Sequence, residues 1–227
     1  MRTEVDAEGI NEVRVECAAT RFKLSFGEGA AVLEADAEPH GKWTLVREGD
    51  ALVARAPVPR TGLDELAEVA LTLPGSLDDG SVLLELRAIA SEVEVAGSFV
   101  AIEAKIEASE ADFQTQCEEA RIKVAAGAVR AKLLGTAVAE IKVKAGELLA
   151  WFQEGAPSSL SVEVGVGSAE ILLPDVTYQL SKSVALGKFR SNLQEKAGSP
   201  NQIEAKLGLG DLTFTRTAQP APKLGLL

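Results

Sequence analysis

Arg-Ile-Lys-Val-Ala-Ala-Gly at 121–127, Glu-Ile-Lys-Val-Lys-Ala-Gly at 140–146 and Ser-Val-Glu-Val-Gly-Val-Gly at 161–167 repeat one phrase. A shorter form, Glu-Val-Glu-Val-Ala-Gly, precedes them at 92–97. Each is an apolar/polar/apolar triplet closed by glycine, the pattern of a half-buried strand that runs into a bend. Outward from this stretch, Ser91–Gly167, similar triplets recur at steps of 8 to 11 residues from about 84 to about 179. Meander sandwiches also space their strands this way. The sameness of the phrase, more than the spacing, selects equivalent rungs stacked on one another. Two strands and two bends make a coil of about 19 residues, which needs neighbours on both open faces to bury its apolar side chains.

The expected fold is therefore all-β: a single-stranded β-solenoid or β-helix of short stacked strands with N-terminal hairpins, a β-sandwich being the alternative. Phe113, Cys117, Ala120 and Val124 stand at helical spacing, but Gly97, Gly127, Gly135, Gly146 and Gly155 would cut any helices here too short to persist. Ile122-Lys123-Val124 and Ile141-Lys142-Val143 are better strands than helices.

Residues 1–60 carry alternating runs at Val13–Cys17, Phe22–Phe26, Ala31–Ala35, Trp43–Val46 and Leu52–Ala54. Gly27-Glu28-Gly29 and Gly49-Asp50 lie between runs as hairpin turns. Pro57, Pro59 and Gly62 interrupt the pattern, and Glu68–Pro74 is a strand stopped by proline. A near copy of that phrase, Ala169–Pro174, marks either a second start or the same sheet edge. One elongated domain over 1–217 is expected, with hairpins in 1–60, core rungs in 68–181 and C-terminal rungs in 182–217. Residues 218–227, Ala-Gln-Pro-Ala-Pro-Lys-Leu-Gly-Leu-Leu, read as a flexible tail.

Aromatic residues are only 4% of the chain, so Val, Leu, Ile and Ala must fill the core. The net charge of −11 argues against nucleic acid and anionic membrane surfaces as partners. The charge is uneven, since 182–227 holds seven Lys/Arg against three Asp/Glu while the rest is acidic. Met1–Asp6 has no apolar run of the kind a signal peptide needs, and no segment nears the ~20 apolar residues of a membrane span. Cys17 and Cys117 stand in no metal-ligand or redox spacing and suit a reducing compartment as small hydrophobes. A cytoplasmic location follows as an expectation.

Chemistry is sparse. His40, the single histidine, sits between Pro39 and Gly41 with no second imidazole to share a metal. The glycine pairs at 27–29, 165–167 and 208–210 lack the Lys-Ser/Thr ending of a phosphate loop. Asp78-Asp79 and Glu118-Glu119 are adjacent acids, which a strand points to opposite faces. No catalytic residue, cofactor or metal is expected. The candidate interaction residues are Trp151 and Phe152, an aromatic pair of which a strand exposes one, together with Leu224, Leu226 and Leu227 in the tail.

Gly49–Val53, Leu71-Thr72-Leu73-Pro74, the glycine-closed rungs through Gly167 and Leu172-Leu173-Pro174 resemble the bacterial putative-adhesin group of unknown function, relatives of head domains with a Gly-Ile-Asn motif. The likeness covers about residues 10 to 215. It implies a β-solenoid without catalytic residues, while the missing export signal favours a cytoplasmic scaffold similar in style to the bactofilins. The expected function is a non-enzymatic adhesin-like interaction or scaffold protein that meets a protein partner or its own copies. The alternative is a carbohydrate-binding or polysaccharide-cleaving β-helix, in which Lys123 and Lys142 would stack one coil apart.

Overall fold

Period-two alternation sets nearly every element of the computed structural model, which describes residues 1–36, 42–56 and 66–217. The N-terminal strands are β1 (Arg2–Val5), β2 (Glu12–Ala18), β3 (Thr20–Gly27), β4 (Ala31–Ala35), β5 (Thr44–Glu48) and β6 (Ala51–Arg55). β7 (Ala67–Pro74), a single 3-10 turn (Gly75–Leu77) and β8 (Leu83–Ile89) lead into β9 (Glu92–Leu134). β10 (Val138–Gln153), β11 (Ser159–Pro174), β12 (Thr177–Ser191), β13 (Gln194–Glu195) and β14 (Gln202–Thr217) complete the chain. Together they form a 14-stranded, mostly parallel sheet.

Its register shows why the phrase repeats. Lys142 of β10 pairs with Lys123 of β9, and Glu163 of β11 pairs with Lys142, offsets of 19 and 21 residues. β8 pairs with β9 at an offset of 18, Leu83 against Ala101. The same offset of 18 brings the amide of Ser91, just before β9, to Ser109 Oγ at 2.9 Å, and within β9 it brings Arg121 to Glu103. From β8 to β11 the chain thus returns beside itself every 18 to 21 residues, in parallel. Parallel neighbours exclude a meander sandwich, whose adjacent strands run antiparallel. The backbone stays extended round several bends, so that β9 is 43 residues long rather than a set of short strands.

Side chains at alternate positions fill one continuous core. Ile122, Ile141 and Val162 succeed one another in register and are at most 1% exposed, as are Val124, Val143 and Val164 beside them. Phe113, Cys117, Ala120 and Val124 are all buried. Their helical spacing is the product of two period-two runs, 113–117 and 120–124, whose parity shifts by one at 118–119.

One bend is built in two ways. Ala19, Ala90 and Ala108 take left-handed φ of 53°, 50° and 50°, and each precedes an inward hydroxyl residue, Thr20, Ser91 or Ser109. The Thr20 amide donates to Ser91 Oγ, while Ser91 Oγ and Ser109 Oγ donate to the Ile89 and Glu107 carbonyls, so the buried bend leaves its polar groups paired. From Gly127 onward glycine replaces this device. Gly146 has φ +128°, and a Cβ there would stand 2.1 Å from the Gly127 carbonyl oxygen. Gly167 meets Gly146 in the same way, which is why the phrase must end in glycine.

Three local expectations change. The 92–97 phrase does not join the column of the other three: Glu92–Val95 pair with Arg21–Leu24 of β3, and Gly97 lies against Phe26. The turn at Gly27–Gly29 closes no hairpin, because β4 pairs antiparallel with β1 and β7 instead. Gly49-Asp50 does close one, between β5 and β6. The C-terminal rungs are also out of sequence order, since β14 inserts between β11 and β12 and leaves β12 followed only by the two-residue β13. His40, Pro57, Pro59, Gly62 and the tail 218–227 lie outside the described residues.

Candidate functional site

Parallel register turns single outward positions into columns. One column, read along consecutive rungs, is Arg87, Lys105, Lys123, Lys142, Glu163 and Lys206. Rungs are about 4.8 Å apart, so the lysines form a comb of cations along a flat face. Glu85, Glu103, Arg121, Glu140, Ser161 and Glu204 make the adjacent column two residues earlier on each strand. Acids in that column take up some of the positive charge: Lys142 Nζ lies 2.7 Å from Glu140, and Lys206 Nζ lies 2.8 Å from Glu204. Arg87 reaches Glu107 at 3.4 Å, and Arg121 engages Glu103 and Glu119. Lys105, Lys123 and Lys144 take part in none of these pairs.

Those three free ammonium groups surround a groove of about 350 Å³ lined by Lys105, Glu107, Lys123, Lys142, Lys144 and Glu163. Its floor is the backbone of Val124, Ala125, Val143 and Gly165, the two valine side chains being buried in the core. The hydrogen bond from Lys142 raises its own pKa and holds the Glu140 carboxyl below its usual range. Both therefore stay charged at neutral pH. Such a groove can hold an acidic, extended ligand by several weak contacts.

A larger concavity of about 720 Å³ lies between β1, β3, β4, β7 and the start of β9. Its charges are already matched: Arg21 reaches Glu68 at 3.0 Å and Glu92 at 2.9 Å, and Lys23 reaches Glu94 at 3.4 Å. A charged ligand would have to displace those partners, so the lysine groove is the better candidate.

The sequence-predicted residues fall elsewhere. Phe152 is buried in the core, while Trp151 is half-buried and faces outward, between Lys132 and Leu172 in register. Trp151 is thus on the sheet segment that follows the bend, away from the lysine column. Leu224, Leu226 and Leu227 lie outside the described residues. Lys123 and Lys142 do stack one coil apart at an offset of 19. Sequence reasoning missed Lys105 and Lys144. The signal for Lys105 was the 18-residue step from Lys123, hidden because Ala104-Lys105-Ile106 has no closing glycine. Cys17 and Cys117 are buried free thiols, and burial pushes the Cys17 pKa up to about 12. Among the described residues no cluster of three or more His, Cys, Asp or Glu is placed to hold a metal, and no helix is long and apolar enough to cross a membrane.

No protein-family model matches the chain, and no curated protein does. Solved structures do. A "putative adhesin" from Bacteroides fragilis aligns over 96% of this chain and 96% of its own at 11% identity, with a TM-score of 0.51. A "putative cell adhesion protein" from Clostridium sporogenes aligns over 96% and 98% at 12% identity with a TM-score of 0.41. A "putative adhesin" from Parabacteroides distasonis aligns over 93% and 96% at 11% identity with a TM-score of 0.48. At such identities the likeness is one of fold. The cytoplasmic location expected from the sequence is contradicted by the match to the Bacteroides fragilis structure, which is described as a putative adhesin.

Proposed function

We propose that this chain is a non-enzymatic, adhesin-like binding module presented at a cell surface. Residues 1–217 act as one elongated β-solenoid, and residues 218–227 follow as a tail. A rod of stacked rungs offers flat faces on which one side-chain type recurs at each step, and its partner is a protein or cell-envelope component bearing repeated negative charge. The observation that carries this reading is the run of Lys105, Lys123 and Lys142 in consecutive rungs over one groove. Attraction between such exposed charges weakens as salt shortens the screening length to about 8–10 Å. Binding of the intact protein to isolated bacterial envelopes should fall with added salt, and by about ten-fold or more in K105E/K123E/K142E. Equal binding by that variant, or no binding by the parent, would remove the reading.

The same column favours a second reading, an acidic carbohydrate as the ligand. A comb of cations suits a chain of uronate sugars lying along the rungs. Saturable binding to polygalacturonate but not to neutral dextran, without shortening of the polymer, would select it over a protein partner.

A further inference from the structure

The outermost rung ends the molecule without being covered. β12 pairs with β14 along one edge and, along the other, only Thr177 and Tyr178 pair, with Gln194 and Glu195. From Ser181 to Ser191 that second edge is bare among the described residues, and an open edge of parallel strand invites another strand. Apolar side chains cluster there: Val184 is 41% exposed and Leu186 71%, beside Leu209 at 53%. Lys182 occupies a position that is apolar in the inner rungs and caps the core by placing its ammonium 4.8 Å from the Phe189 ring centre.

The chain contains the missing strand. Lys206-Leu207-Gly208-Leu209 of β14 lies against Ser183-Val184-Ala185-Leu186 of β12 in parallel register. The tail repeats it letter for letter as Lys223-Leu224-Gly225-Leu226. In that register Leu224 would lie beside Val184 and Leu226 beside Leu186, while Gly225 would fit beside the bend. Lys223 would meet Ser183, which carries no charge.

We infer that residues 223–227 add as a strand to the bare edge of β12 in a second copy of the chain. Reach favours the edge of a second copy over a copy's own. Thr217 is the register partner of Pro174, and from Pro174 the chain uses nine residues to step past one rung and arrive at Ser183. From Thr217 it would have only six residues to step past β12 and place Lys223 at the equivalent point. Six residues span at most roughly 20 Å when fully extended. Tail and edge also share one end of the molecule, so two copies can exchange tails reciprocally. Such an isologous contact closes as a dimer and does not propagate into a fibre. This deepens the binding-module reading by supplying two copies of its lysine face, and it rests on the same stacked-rung fold.

Light scattering and hydrogen exchange on the full chain test it, with L224D/L226D as the comparison. An unchanged far-ultraviolet spectrum will show that the fold persists in the variant. The parent is expected to have the mass of two copies and slow exchange at 181–191. L224D/L226D is expected to have half that mass and exchange about ten-fold faster there. A variant that stays dimeric would overturn the inference, because the edges would then pair without the tail. A monomeric parent would overturn it too: slow exchange would put the tail on its own edge, and fast exchange would leave the edge bare. Envelope binding is read separately through the lysine column, so either claim can fail alone.

Discussion

Gly146 and Gly135 both have positive φ, yet they answer to different constraints. Gly135 has φ +66° and nothing within 4 Å of where a Cβ would stand, so alanine there meets only backbone strain. Gly146 also faces the Gly127 carbonyl at 2.1 Å. Gly135→Ala should cost about 1 kcal/mol, and Gly146→Ala at least about 3 kcal/mol because a neighbouring rung must move as well. Urea unfolding monitored by circular dichroism will order the two, and equal costs would deny the close approach. Asp112 supplies a pH test at this scale. Burial, its largest influence, raises its carboxyl pKa above the ordinary 3.8, against a smaller lowering by Arg130. A raised folded-state value means that the native chain holds its proton longer, so this group's contribution falls as pH rises through the window just above 3.8. Asp112→Asn should be slightly more stable than the parent at pH 7, with the advantage vanishing toward pH 3. A constant difference across that range in thermal melts would contradict the assignment.

Trp151 and Phe152 show what a strand does with neighbours. Phe152 is 2% exposed in the core and Trp151 is half-buried on the outer face. Phe152→Ala should therefore cost about 3–5 kcal/mol. Trp151→Ala should cost well under half of that, as measured by denaturant midpoints. The opposite ranking would mean that the strand has slipped by one residue, since a slip exchanges its faces. Elements of this kind were legible in the sequence because alternation is a local signal: Glu68–Pro74, Ile122–Val124, Ile141–Val143 and the Gly49-Asp50 hairpin needed nothing else. Pairing was less legible. The run at Ala31–Ala35 looks like the return strand of a hairpin after Gly27–Gly29, but partner choice depends on the distant β1 and β7. The 92–97 phrase shares the apolar/polar/apolar triplet and closing glycine of the others and still took the opposite segment of its coil, because triplets on both sides of a bend carry the same alternation.

At the scale of the whole molecule, function comes from addition. No single rung holds a site; Lys105, Lys123 and Lys142 become one because 18- and 19-residue returns set them side by side. The sequence showed the return between Lys123 and Lys142 through its glycine-closed phrases. It concealed Lys105, whose bend uses Ala108 and Ser109 in place of glycine. It also concealed the insertion of β14 between β11 and β12, which no repeat length announces. Spin labels at paired positions 105/123, 123/142 and 142/163 measure this stacking most directly. The account predicts strong dipolar broadening in all three pairs, because each joins adjacent rungs about 4.8 Å apart. A spectrum for any pair equal to the sum of its single-label spectra would contradict it.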